Sequence, residues 1–124
     1  MKKACPYCGR IHDKKFVCKN KAKVLKEREY EQYQKNIRNK RFRSSAKWKK
    51  KAEIIRERDL DLCLICKKEG KYESADSVHH IISLNKDFEK RLDDDNLICL
   101  CRYHHELAEK GEFSKAFLVS LINK

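Results

Sequence analysis

Cys63-x2-Cys66 and Cys101-x2-His104 are two pairs of soft ligands, each spaced so that one short turn can aim both side chains at a single ion. Thiolate and imidazole donors around a tetrahedral ion select zinc. Four protein ligands leave no open position, so the ion expected here is structural. Closing the site would tie together the two ends of the segment between the pairs, and metal binding would contribute directly to folding. Cys99 and His105 lie beside the second pair. Cys99-Leu100-Cys101 reads as strand, where alternate residues share a face, so Cys99 is open as a ligand; a small buried hydrophobe is the safer reading. His105 is then left for other work.

His79, His80, Asn96 and His105 form a second set. Adjacent histidines on a strand point to opposite faces, so they seldom share one task. An isolated pair would read as two satisfied side chains at a strand edge. This pair lies between the halves of a zinc site, with Asn96 and His105 following, which favours chemistry. A third set, Cys5-x2-Cys8-x3-His12-x5-Cys18, opens the chain and resembles a zinc knuckle, although knuckles more often space their ligands x2, x4, x4. Gly9 suits the tight turn of such a ligand loop. A second zinc is expected on Cys5, Cys8, His12 and Cys18. Tyr7 and Phe16 would stack on bases, with Arg10, Lys14, Lys15 and Lys19 near phosphates.

The elements that must hold these residues follow from propensity and period. Residues 20–60 contain no Gly or Pro and are rich in Lys, Glu, Arg and Gln, all good helix formers. Val24, Leu25, Tyr30, Tyr33 and Ile37 give only a narrow apolar stripe, which predicts a long exposed helix or one that orders on nucleic acid. Arg43-Ser44-Ser45 predicts a break, with a serine capping a second helix. Trp48, Ala52 and Ile55 put one face of that helix toward a core, and the charged Asp59 ends the stripe. After the turn at Gly70, residues 78–84 lean toward strand, residues 85–95 read as loop, and residues 96–100 form a second apolar segment. Helix returns from Arg102 to Lys110 and stops at Gly111. Phe113, Phe117, Leu118, Leu121 and Ile122 predict a last amphipathic helix.

Composition agrees with a small domain that needs a staple: of 124 residues, 40% are hydrophobic and 40% charged, so the core is thin. The first twenty residues are polar, which argues against a secretion signal, and no run approaches the roughly 18 apolar residues of a membrane span. A reducing cytoplasm is expected, where clustered Cys and His favour metal over disulfides. Residues 1–60 carry 21 Lys/Arg against 7 Asp/Glu, net +14, and residues 61–124 carry 10 against 12, net −2. A basic half beside a near-neutral half predicts a phosphate-binding arm on a folded domain.

The string Cys63-x2-Cys66, Val78-His79-His80-Ile81, Asn96-Leu97 and Cys101-x2-His104-His105 resembles the HNH endonucleases, and in particular the small phage and prophage members often encoded beside packaging genes. Arg43-Ser44-Ser45-Ala46-x-Trp48 belongs to the same resemblance, which covers residues 42–112. Two positions depart from the commoner pattern: His104 replaces a fourth Cys, which zinc accepts, and His79 replaces Asp, which also ligates a divalent cation. The resemblance implies an α+β fold, a zinc-stapled ββα-metal domain with flanking helices. Three parts are expected: a knuckle over residues 1–19, a basic helical linker over 20–41 and a nuclease domain over 42–124. The resemblance also implies that His80 is the general base, that His79 and His105 hold a catalytic divalent ion, and that Asn96 steadies the hairpin loop and the base. Glu109, four residues past His105, would join the ion directly or through water, or stand as a surface charge. The implied activity is metal-dependent hydrolysis of DNA with Mg²⁺ or Mn²⁺, with double-stranded DNA as partner and a phage terminase as an associated one, in a bacterial host's cytoplasm. Two rivals are a non-catalytic zinc-finger DNA-binding protein and a protein acting on RNA.

Overall fold

The computed structural model describes residues 2–6, 8–13 and 18–122. Chain contacts divide it into two units, Met1–Lys40 and Arg41–Lys124. In the first, strands β1 (Lys2–Ala4) and β2 (Ile11–Asp13) pair antiparallel, with Lys3 opposite His12. The Cys5 amide donates to the Arg10 carbonyl and the Gly9 amide to the Cys5 carbonyl, closing the turn. Gly9 has φ +72°, a left-handed conformation that glycine adopts without steric cost. Helix α1 (Lys19–Arg43) follows. Leu25, Tyr30 and Tyr33 are exposed on it, as the narrow stripe predicts. The expected base-stacking Tyr7 and Phe16, their companions Lys14 and Lys15, and the side chain of His12 lie outside the described residues.

The second unit is a two-stranded hairpin between helical layers. Helix α2 (Ala46–Arg58) starts where the serines predict: Ser45 is its N-cap, and its hydroxyl accepts from the Trp48 amide. Strands β3 (Ser77–His80) and β4 (Leu97–Leu100) pair antiparallel, with Val78 opposite Cys99, His79 opposite Ile98 and His80 opposite Leu97. Leu97 and Cys99 pack with Ile55, Trp48 and Val78 on the α2 side. Ile98 and Leu100 pack on the other side with Leu64, Ile65 and Leu118, which come from α3 (Leu64–Lys68) and α5 (Lys115–Ser120). Both faces of β4 are covered, which explains an unbroken apolar run in place of an alternating one. Helix α4 (Arg102–Glu109) closes the ββα unit and ends at Gly111, φ +79°.

Three boundaries differ from the sequence expectations. Strand was expected over 78–84, but β3 stops at His80. The Ile81 amide still reaches the Asn96 carbonyl, while the Ile82 amide is taken by the Asn96 side chain at 2.7 Å. That local side-chain bond displaces the strand ladder. The expected loop contains two 3₁₀ turns, Phe88–Lys90 and Asp94–Asn96, begun by Asp87 and Asp93 side chains that accept amides two residues on. Phe113 precedes the last helix, because Ser114 caps it by accepting from the Phe117 amide. Among the described residues, no helix is long and apolar enough to cross a membrane.

Candidate metal and catalytic centre

The hairpin and two helix starts bring the two ligand pairs, Cys63/Cys66 and Cys101/His104, together. Cys63 is the N-cap of α3 and Cys101 that of α4. From α4, His104 points Nδ1 at Cys63, Cys66 and Cys101 Sγ, at 3.4, 3.3 and 3.3 Å, and Cys66 and Cys101 Sγ are 3.8 Å apart. A zinc tetrahedron with Zn–S about 2.3 Å and Zn–N about 2.0 Å has S···S edges of about 3.8 Å and S···N edges of about 3.5 Å. The four donors, all within 4.8 Å of one another, therefore stand close to the corners of a zinc-sized tetrahedron. Burial and the neighbouring thiols push the Cys66 thiol up to about 12, so a cation must displace its proton, and binding must release protons. Glu69 Oε1 faces His104 Nε2 at 3.8 Å. A carboxylate there favours the tautomer whose Nδ1 is the ligand. Nothing in the linear pattern marked Glu69. Cys99 is fully buried against Ile55 and Asp59 and is not part of the cluster, in keeping with the hydrophobic reading.

His79 and His80 face opposite layers, as strand alternation demands. His79 is buried beside α4, its ring 5.1 Å from that of His105. Glu109 Oε1 lies 3.4 Å from His79 Nδ1 and 3.2 Å from His105 Nε2. These three side chains could hold one cation. Two imidazole nitrogens and one carboxylate oxygen, all from one side, suit a divalent ion that keeps open positions. Of the two readings of Glu109, the geometry places it with the histidines. Burial pulls the His79 pKa down to about 4, keeping the ring neutral and its lone pair available.

His80 faces α2. Its ring stacks on Trp48 at 4.7 Å and meets the edge of Phe42 at 5.9 Å. Its Nε2 lies 3.0 Å from the Arg91 carbonyl oxygen. A carbonyl can only accept, so Nε2 carries the hydrogen and Nδ1 the lone pair. Burial lowers the His80 pKa; the Arg91 bond opposes this, and the Arg43 charge lowers it further. The field of Glu109 also reaches this ring. Asn96 is buried and bonds on three sides: Oδ1 accepts from the Ile82 amide, and Nδ2 donates to the Ile82 and Lys90 carbonyls at 3.2 and 3.1 Å. It clasps the loop whose next carbonyl, that of Arg91, receives the His80 hydrogen. Asn96 thus acts through the loop and does not touch His80 in this geometry.

Sequence reading missed several supports. Phe42 and the Arg91 carbonyl escaped it because both meet His80 through distant chain. Asp59, read as the end of an apolar stripe, is buried: it pairs with Arg58 at 2.8 Å and accepts from the Cys99 amide at 3.1 Å. Arg58 also donates to the carbonyls of Asp94 and Leu97. An α2 ion pair therefore pins the foot of β4.

Residues 63–110 match a family model described as HNH endonuclease. Among solved structures, the chain is similar to the HNH endonuclease of deep-sea thermophilic bacteriophage GVE2, crystallised with manganese ion. The TM-score is 0.64 at 34% sequence identity, over 68% of this chain and 91% of that one. No curated protein matches the chain.

Proposed function

The chain belongs to the HNH endonuclease family, and we propose from that premise that it is a divalent-metal-dependent hydrolase of DNA phosphodiester bonds. The observation that carries this reading is the tautomer of His80, held with Nε2–H on the Arg91 carbonyl so that Nδ1 is basic. In this reading His80 takes the proton of the attacking water at Nδ1. Burial keeps the ring unprotonated near neutral pH, and the Trp48 face limits its rotation. Asn96 positions the loop that orients it. His79, His105 and Glu109 are the residues that would hold the divalent ion. When bound, that ion supplies positive charge for the phosphate oxygens and the departing 3′-oxygen. Mg²⁺ or Mn²⁺ is the proposed ion, and the GVE2 enzyme's manganese supports that choice.

Duplex DNA is the proposed substrate. Arg41, Arg43, Lys47, Lys49 and Lys50 are exposed near the start of the nuclease unit and suit phosphate contacts. Such contacts set affinity and register more than sequence choice. The phage relative supports a role in phage DNA processing inside a bacterial host, with a terminase as the proposed partner in packaging. The test is incubation of supercoiled plasmid with Mg²⁺ or Mn²⁺, with and without EDTA, for wild type and His80→Ala. Nicking or linearisation by wild type alone, lost with EDTA, is expected. A His80→Ala chain of unchanged circular dichroism and zinc content that still cuts at the wild-type rate would remove His80 from its role.

A further inference from the structure

We propose that Cys5, Cys8 and Cys18 hold a zinc ion of their own, independent of the cluster in the nuclease unit. The three Sγ atoms lie within 4.8 Å of one another, although Cys18 is thirteen residues from Cys5. Cys5 and Cys18 Sγ are 3.6 Å apart, far beyond a disulfide bond of about 2.05 Å and close to the roughly 3.8 Å edge of a zinc–sulfur tetrahedron. The backbone is built to hold this arrangement. The β1–β2 hairpin and the left-handed Gly9 bring Cys8 back toward Cys5. Cys18 then stands immediately before α1, as its N-cap: its carbonyl accepts from the Ala22 amide at 3.0 Å.

The Cys18 sulfur also accepts from the Lys21 amide at 3.3 Å. That is the position where Ser, Thr, Asp or Asn normally supplies an oxygen. Arg10, Lys19 and Lys21 add positive charge in the same stretch of chain, which would offset the negative charge of zinc-bound sulfurs. The packing points the same way. Among the described residues of Met1–Lys40, the buried ones are Cys5, Cys18 and Asn39. Among its described residues the hairpin buries sulfurs and no apolar core, and a metal is the usual substitute in so small a unit. Soft sulfur donors select zinc over Mg²⁺ or Ca²⁺. Each thiol gives its proton to solvent as the ion enters. Sequence spacing offers His12 for the remaining position.

The experiment counts metal on the intact chain. Purified protein, kept reduced, is measured for zinc by elemental analysis and native mass spectrometry. About two zinc ions per chain are expected, falling to about one in both Cys8→Ser and the Cys5→Ser/Cys18→Ser double variant. Replacing zinc by Co²⁺ should give a sulfur-to-cobalt charge-transfer band that shrinks in the same variants, a readout that does not depend on cleavage. One zinc per chain in wild type, with Cys5, Cys8 and Cys18 alkylated as fast as in the unfolded chain, would overturn the proposal. So would a Cys5–Cys18 disulfide that forms in the native protein and survives the mild reductant that keeps the other cysteines as thiols. Neither result would touch the nuclease reading, which rests on other residues.

Discussion

His80 sets the expected pH behaviour. Burial lowers its pKa below the ordinary imidazole value of 6.5, the Arg91 carbonyl opposes this, and Arg43 adds to it. A base must be neutral, so cleavage should fail on the acid side only below that ordinary value. Removing the Arg43 charge stabilises the imidazolium and raises the pKa. Arg43→Gln should therefore move the acid limb of the kcat profile toward higher pH, read from single-turnover rates; a limb that moves down would contradict the assigned electrostatics. His80→Ala should cost about 10²- to 10⁴-fold in rate, the usual range for a positioned general base. Glu109→Gln keeps the shape but removes the charge, so the rate should need a higher Mn²⁺ concentration to saturate; isothermal titration with Mn²⁺ checks the loss of affinity. At this scale the sequence was most legible where ligands follow local rules. Two x2 pairs announce a tetrahedral site because one turn delivers both donors. Glu109 was visible only as an i, i+4 neighbour of His105, and the histidine across the strand pair decided its place. Glu69 was not visible, because its partner His104 lies far along the chain.

Among the elements, α2 does most to hold the hairpin. Its Ile55 is 1% exposed under Leu97 and Cys99. Ile55→Ala should destabilise the nuclease unit by about 2–5 kcal/mol, the range for such truncations in a packed core. Asp59 is a second support: Asp59→Ala would leave the buried Cys99 amide without its acceptor and take the carboxylate from Arg58, which keeps the Asp94 and Leu97 carbonyls. An orphaned buried amide costs about 1–3 kcal/mol, and urea denaturation of both variants measures it. The Ser45 cap should count for about 1 kcal/mol in Ser45→Ala. Helix starts and stops were readable because serine caps and glycine ends act within a few residues. The end of β3 was not readable. A run of apolar residues continues to Leu84, but the Asn96 side chain claims the Ile82 amide, and no local propensity reports a competitor fourteen residues away. The 3₁₀ turns were hidden for a related reason: aspartates at 87 and 93 signal loop and cap alike.

On the scale of the whole molecule, stability should follow zinc. With a thin core and marginal stability of about 5–15 kcal/mol typical of domains, losing a structural zinc of comparable binding energy should unfold the nuclease unit. A strong chelator should abolish its cooperative thermal transition, whereas simply withholding Mg²⁺ or Mn²⁺ should stop cleavage and leave that transition in place; calorimetry separates the two. Binding to duplex DNA should weaken steeply with salt, and Lys47→Gln/Lys49→Gln/Lys50→Gln should flatten the slope of log K against log[salt] by about 1 per lost phosphate contact. The division between a basic and a near-neutral half was plain from charge counts alone; the partition of residues between hairpin faces needed the register. That register has a consequence for how the chain tolerates change. His104 and His105 are consecutive on α4, one pointing into the sulfur cluster and the other into the group with His79 and Glu109. A helix turns about 100° per residue, so one residue inserted before this pair would swing His104 onto the bearing of His105, one deleted would swing His105 onto that of His104, and in either case the remaining ring would leave both sites. The chain can lengthen in its loops, but here its reading frame in space is locked: the anchor and the blade share a single pivot, and neither can drift without the other.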